Sequence, residues 1–256
     1  MLSKRIQSQV LSLLLLGLSA CSGGSDTSTS SPTPSPLASA EGLWIGTTGT
    51  NHTVTGVVLD DGTYWALYYS LNGPPSRILG FIQGDSDSQN GIFASSNAHD
   101  FNPDRMGILT AEVDGTYTTK QSLNGTIAYQ NNVQANDTFM TTYNSEYESA
   151  PNIGTIAGIY TGPVALSETM TVTVSSAGEI SGSSSTGCTI TTGSVVPRGH
   201  GNVFNVTITF GPQDTCSNKN GTVNGIGFIH AGKLYSAAWN VASNRTNGVI
   251  FIGTKQ

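Results

Sequence analysis

Charge is what this chain most lacks. Ten Lys and Arg and sixteen Asp and Glu make only 10% of its 256 residues charged, well under the roughly 25% of an average globular protein. No run of basic residues forms a stripe able to neutralise phosphates, which argues against a nucleic-acid partner. Helix formers are scarce as well. Ser, Thr, Asn and 31 Gly fill the polar remainder; these side chains compete for backbone hydrogen bonds, and Gly weakens helix interiors. No apolar run approaches the roughly 20 residues of a membrane-spanning helix. His52, His99, His200 and His230 are not spaced as metal ligands. There is no Gly-x-Ser-x-Gly elbow on a strand–helix turn and no phosphate-cradling loop before a helix. No catalytic residue, metal or cofactor is expected, and the chain reads as a non-enzyme.

What is present begins at the N-terminus. Lys4 and Arg5 precede an apolar stretch from Val10 to Leu18, the length of a secretory signal core and too short to span. It ends in Leu18-Ser19-Ala20-Cys21. This LSAC resembles the lipobox of bacterial lipoproteins. The resemblance implies a signal over 1–20, diacylglycerol on the Cys21 sulfur and cleavage before it. With Ser22 rather than Asp next, it also implies delivery to the outer membrane, anchored by lipid. An ordinary secretory signal that happens to contain a Cys is the alternative. Loss of Lys4 and Arg5 takes the net charge of -6 to about -8; spread over the chain, that charge favours solubility. Residues 22–39 (SGGSDTSTSSPTPSPLAS) bury no apolar surface and read as a disordered tether. As a coil it would span roughly 25 Å, and extended up to about 60 Å.

Cys188 and Cys216 remain. In an exported chain they most simply form one disulfide, closing a loop of about 29 residues and contributing roughly 3 kcal/mol on the chain-entropy account.

The body opens twice in the same way. Gly42-Leu43-Trp44-Ile45-Gly46 matches Gly158-Ile159-Tyr160-Thr161-Gly162 at an offset of 116, which also places Thr53-Val54-Thr55 on Thr169-Met170-Thr171 and the turn Asp61-Gly62 on Ala177-Gly178. A shared offset signals internal duplication. The polar segment 144–154 (NSEYESAPNIG) suits a boundary, so the chain divides into an N-terminal β domain (40–146) and a C-terminal one with the disulfide (147–256). Alternation predicts nine strands in the first half: 43–48, 53–59, 63–70, 77–83, 91–95, 106–113, 116–122, 126–130 and 137–143. Eight follow in the second: 158–162, 168–175, 179–183, 188–197, 202–210, 221–230, 233–241 and 247–254. Asp61-Gly62, Asp114-Gly115, Asn124-Gly125 and Ala231-Gly232 read as hairpin turns. The expected fold is all-β, two small antiparallel up-and-down barrels, with a sandwich as the alternative. The strand Tyr64-Trp65-Ala66-Leu67-Tyr68-Tyr69 is large on both faces, which calls for packing between the barrels or an exposed aromatic patch.

Gly42-Leu43-Trp44 followed by hairpins resembles the Gly-x-Trp start of lipocalin-like barrels, in which the Trp plugs the closed base. The ending Gly248 to Gln256 is similar to the last strand of small barrels in Gram-negative surface lipoproteins, which recognise host proteins.

Two acidic stretches invite metal readings. Asp85 to Gly91 lacks the sixth-position Gly and twelfth-position Glu of a calcium loop and reads as an acidic loop between strands. His99-Asp100 with Asp104 reads as a solvated loop before a cation site. Three functions stay open. The first is a binding module for a host or envelope partner, with Trp65, Tyr69 and Arg77 as its candidate patch. The others are a self-associating structural protein of the envelope and a carrier with a small ligand inside one barrel. Of the two barrels the second, richer in small residues (SAGEISGSSSTG), is the better container.

Overall fold

The structure is a computed structural model that describes residues 39–70, 77–102, 108–130, 134–164, 168–240, 242 and 244–256. The expected signal, Cys21 and nearly all of the tether lie outside the described residues. The first half contains β1 (Gly42–Thr48), β2 (Thr53–Val58), β3 (Thr63–Ser70), β4 (Arg77–Asp85), β5 (Asp87–Gln89), β6 (Ile92–Phe101), β7 (Ile108–Thr118), β8 (Ser122–Tyr129) and β9 (Asp137–Asn144). A 3-10 turn (Ser145–Glu148) and a single-turn helix α1 (Ile153–Ile156) lead to the second half. There follow β10 (Gly158–Pro163), β11 (Thr169–Val174), β12 (Ile180–Ser184), β13 (Thr189–Pro197), β14 (Val203–Phe210), β15 (Thr222–His230), β16 (Lys233–Asn240) and β17 (Gly248–Lys255).

Each half closes on itself as an eight-stranded antiparallel up-and-down barrel, with neighbours in sequence paired in space. The first closes through β1–β9 and through β4–β6, where Phe81, Ile82 and Gln83 pair with Phe101, Asp100 and His99. β5 folds back on β6 as a short hairpin outside this ring. The second closes through β10–β17. Closure pairs both edges of the ring strands, which an open sandwich would leave exposed at its ends. Side chains sort by the period of two: along β11, Met170, Val172 and Val174 enter the core while Thr169, Thr171 and Thr173 face outward. An apolar inside with a Thr-rich outside is the pattern of a barrel standing in water; membrane barrels reverse it.

The duplication is visible in atomic detail. Trp44 Nε1 donates to the Ala40 carbonyl at 2.9 Å, and Tyr160 Oη donates to the Ile156 carbonyl at 2.9 Å. Ala40 and Ile156 are both fully buried. A Cβ on Gly46 would sit 1.9 Å from the Met140 carbonyl oxygen, and one on Gly162 2.0 Å from that of Ile252, so in each barrel the first strand is pressed against the last where only Gly fits. The offset of 116 holds through the third strand: Val54 pairs with Tyr68 as Met170 pairs with Ser184, and Val58 pairs with Tyr64 as Val174 pairs with Ile180.

The structure corrects the predicted turns in the first half. Asp114-Gly115 and Asn124-Gly125 are not hairpin turns: they lie inside β7 and β8, with Gly115 directly opposite Gly125. The predicted strands 106–113 and 116–122 therefore merge into β7, and the turn falls at 119–121, where Lys120 takes a positive φ of 55°. Nor is 85–91 simply a loop. Asp87–Gln89 is a strand, and Asn90 (φ 53°) with Gly91 (φ 82°) makes its turn onto β6, the left-handed pair that two-residue hairpins require. The predicted strand 91–95 continues to Phe101 across a bulge between Ser95 and Ala98.

A third apolar core lies between the barrels. Outward-facing Trp65 and Leu67 of β3 and Phe81 of β4 meet Phe228 of β15, Tyr235 and Trp239 of β16 and Ile250 of β17. Phe81 lies 4.7 Å from Trp239 and stacks on Trp65 at 5.7 Å, centroid to centroid. This explains the two-faced strand: Tyr64 and Tyr68 fill the first barrel, while Trp65 and Leu67 fill the seam. Polar ties border it. Arg198 Nη2 donates to Asp60 at 2.7 Å and to Asp61 at 3.1 Å, and His230 Nδ1 lies 2.6 Å from Glu146 Oε2.

Burial opposes ionisation of Asp61, but hydrogen bonds from the Thr63 backbone and from Arg198 outweigh it and hold its carboxyl below the usual range. A depressed folded-state value adds stability that is present above the unfolded value and lost as pH falls through the folded one. The Asp61 side chain is 52% exposed, so solvent screens much of the effect. Asp61→Asn should lower stability in urea by less than about 1 kcal/mol at pH 7, with the difference from wild type vanishing at pH values below the folded-state titration.

Candidate binding cavity

Both barrels have apolar interiors, but they are filled to different degrees. The first leaves about 70 Å³ of space and the second about 290 Å³. The equivalent positions supply the reason. Where β3 points Tyr64 and Tyr68 inward, β12 has Ile180 and Ser184, and both of these line the larger cavity. Two phenol rings in one barrel correspond to an aliphatic chain and a hydroxymethyl group in the other.

The tyrosines also close the first barrel with polar bonds. Tyr68 Oη donates to Asp100 Oδ1 at 2.6 Å and Tyr129 Oη to Oδ2 at 2.8 Å, with Asp100 fully buried. Burial, and then the Asp100 charge, push the Tyr68 phenol far above its ordinary range. Tyr64 Oη donates to Ser95 Oγ at 3.1 Å. His99 and Asp100 thus lie in β6 rather than in a solvated loop, with Asp100 serving as an internal acceptor; Asp104 lies outside the described residues. In the second barrel the Ser184 hydroxyl stays near the strand end: it bonds to Thr186 Oγ1 at 3.0 Å and accepts from the Cys188 backbone at 3.1 Å.

Ile156 of α1 lines the cavity toward the start of β10, and Met170, Val172, Val195 and Val206 line its walls. The far end is built from connections between strands and is polar. Asn247 Nδ2 donates to the Ser217 carbonyl at 2.7 Å, Asn240 Nδ2 donates to Asn218 Oδ1 at 3.1 Å, and Thr186 Oγ1 donates to Glu168 Oε1 at 2.5 Å. Phe101, Asn102 and Ile108 of the first barrel border the same space. The Cys188–Cys216 disulfide joins the β12–β13 turn to the β14–β15 connection across this rim, with 4.9 Å between Cα atoms. No Lys, Arg or His stands among the described lining residues.

The residues expected to form a patch, Trp65, Tyr69 and Arg77, do not make one exposed aromatic face. Trp65 is only 6% exposed, held in the seam against Phe81. Tyr69 is half-buried, its hydroxyl 3.4 Å from Thr55 Oγ1 and its ring 6.4 Å from that of Tyr235. Arg77 alone is exposed, at the start of β4. Burying the aromatics between two barrels is how the molecule removes an apolar face from water. Cys21 lies outside the described residues. Among the described residues no group of three His, Cys, Asp or Glu is arranged to hold a metal ion. Sequence reasoning placed the container in the second half on the small-residue segment 176–187, which holds Ile180 and Ser184, without singling out either, and it missed Glu168; the offset of 116, carried into the third strand, marks the first two.

No known protein family, no curated protein and no solved structure matches this chain.

The disulfide closes a chain separation of 28 residues at the cavity rim. Replacing both Cys188 and Cys216 by Ala should lower unfolding stability by roughly 3 kcal/mol with the far-ultraviolet circular dichroism unchanged. A loss below about 1 kcal/mol would show that the rim is already fixed by its other bonds.

Proposed function

We propose that this chain is an exported, lipid-anchored binding protein whose C-terminal barrel carries a small apolar molecule. The observation behind this reading is the unfilled apolar cavity of about 290 Å³ in the second barrel, next to a homologous barrel that is nearly full. Engineered apolar cavities of roughly 150 Å³ already take up benzene, and natural ligand sites begin near 300 Å³. The burial of Trp65 takes support from the protein-docking reading. The LSAC sequence at Leu18 to Cys21 and the tether after it support anchoring at the outer membrane, since two or more acyl chains hold durably where one does not.

Transplanting the first barrel's bulk into the second tests the container. Ile180→Phe with Ser184→Phe places rings where Tyr64 and Tyr68 stand in the other half, without their hydroxyls. Titration with an uncharged environment-sensitive dye should give saturable binding to wild type and at least a tenfold weaker signal for the double variant, with near-native melting. Equal binding by both proteins would place the dye elsewhere. The anchor is tested by Cys21→Ser expressed in a Gram-negative host: the wild type should partition into the detergent phase after Triton X-114 separation and the variant into the aqueous phase.

A further inference from the structure

The rim of the cavity constrains the ligand's head. We infer that the second barrel takes a single-chain amphiphile whose head donates a hydrogen bond and carries no negative charge, an amine or an alcohol rather than a carboxylate; this rests on the container reading above. The lining below the rim is apolar, while the polar atoms gather at the open end, so a bound amphiphile enters tail first. Most rim groups are already committed. Asn218 accepts from Asn240 and donates to the Gly248 carbonyl, and Asn247 donates to the Ser217 carbonyl and accepts from the Gly248 backbone. Glu168 differs. Its Oε1 accepts from Thr186, and its Oε2 has no hydrogen-bond partner among the described residues. It is half-buried, and it is the one charged residue among the described lining residues. An acceptor with spare capacity and a negative charge welcomes an N–H or O–H and repels a carboxylate. A fatty-acid site would need the reverse, a cation at the mouth.

An eight-carbon tail, taking each carbon as roughly the 30 Å³ that one water occupies in the liquid, comes to about 240 Å³ and fits within the cavity of about 290 Å³. The experiment is displacement of the uncharged dye from the purified protein by octylamine, 1-octanol and octanoate, each below its micelle concentration. For wild type, octanol should displace the dye at concentrations about tenfold lower than octanoate, the ratio that two like charges several ångströms apart at a wet rim produce, and octylamine, attracted by the same charge, at concentrations lower still. Glu168→Gln should bring octanoate to within about twofold of octanol. Glu168→Lys should place it ahead of octylamine. Octanoate competing as well as octanol in wild type would overturn the inference and leave the container intact. An order of preference that survives both Glu168 variants would show that Glu168 does not set it, and would also overturn the inference. If the dye binds but none of the three displaces it, or if no dye binds, the container reading itself falls.

Discussion

The apolar seam between the two barrels is the constraint on which the rest of the molecule depends. A barrel strand in water needs one apolar face, but β3, β4, β15, β16 and β17 need two, because their outer faces meet across Phe81 and Trp239. Apolar area removed from water contributes roughly 25 cal/mol per Å², and offset or edge-on aromatic pairs add about 0.5–1.5 kcal/mol each beyond that. The seam therefore adds a shared core to two barrels of about 100 residues each. It also buries Trp65. Trp65 looks like a docking residue in the sequence and is internal in the fold. Because β6 ends and β7 begins beside the seam, Phe101 and Ile108 reach over to border the neighbouring barrel's opening, and the cavity belongs to the pair rather than to the second half alone.

Duplication accounts for the parts that agree between halves, and close packing explains why those parts resist change. The aromatic of the first strand donates to a carbonyl four residues earlier in both barrels, so the approach of the chain to each barrel's base is fixed by one buried hydrogen bond. Opposite the last strand each barrel keeps a Gly, because a Cβ there would stand about 2 Å from a carbonyl oxygen. At these positions a side chain could be placed only by moving the backbone of the closing strand pair.

Strand existence was legible in the sequence because the alternation of inward Val, Ile and Met with outward Thr and Ser is a backbone property that any barrel must satisfy. All eight strands of the second half fall where the alternation places them. The failures are local and physical. Asx-Gly pairs in β7 and β8 mimic turn chemistry, yet their glycines face each other within a strand pair, where a Cβ on Gly125 would lie 2.2 Å from the Asp114 carbonyl; the actual turn uses Lys120, which no turn rule favours. The candidate site was legible only as a tendency toward small residues in the second half. Locating it requires the pairing register, because whether Ser184 points inward depends on which residue of β11 it faces. Glu168 sits outside any motif, and its place at the rim comes from the way β11 begins.

The two halves diverge most where they are otherwise most alike. Replacing Tyr64 and Tyr68 by Ile180 and Ser184 removes two rings from an interior that shares its register. At about 24 cal/mol per Å³ of residual cavity, a dry void of the size seen here would cost on the order of 7 kcal/mol, an upper figure because the rim admits water. That is comparable with the whole stability of a typical domain. The same half holds the disulfide, placed at the open end, and the first half, whose opening is held by Tyr68 and Tyr129 on Asp100, has none. A covalent tie across the rim restrains strand ends that internal packing no longer restrains. The filled barrel uses side chains to keep its shape; the open one uses the seam, the disulfide and the asparagine network around the mouth, which hold it while its interior stays unfilled.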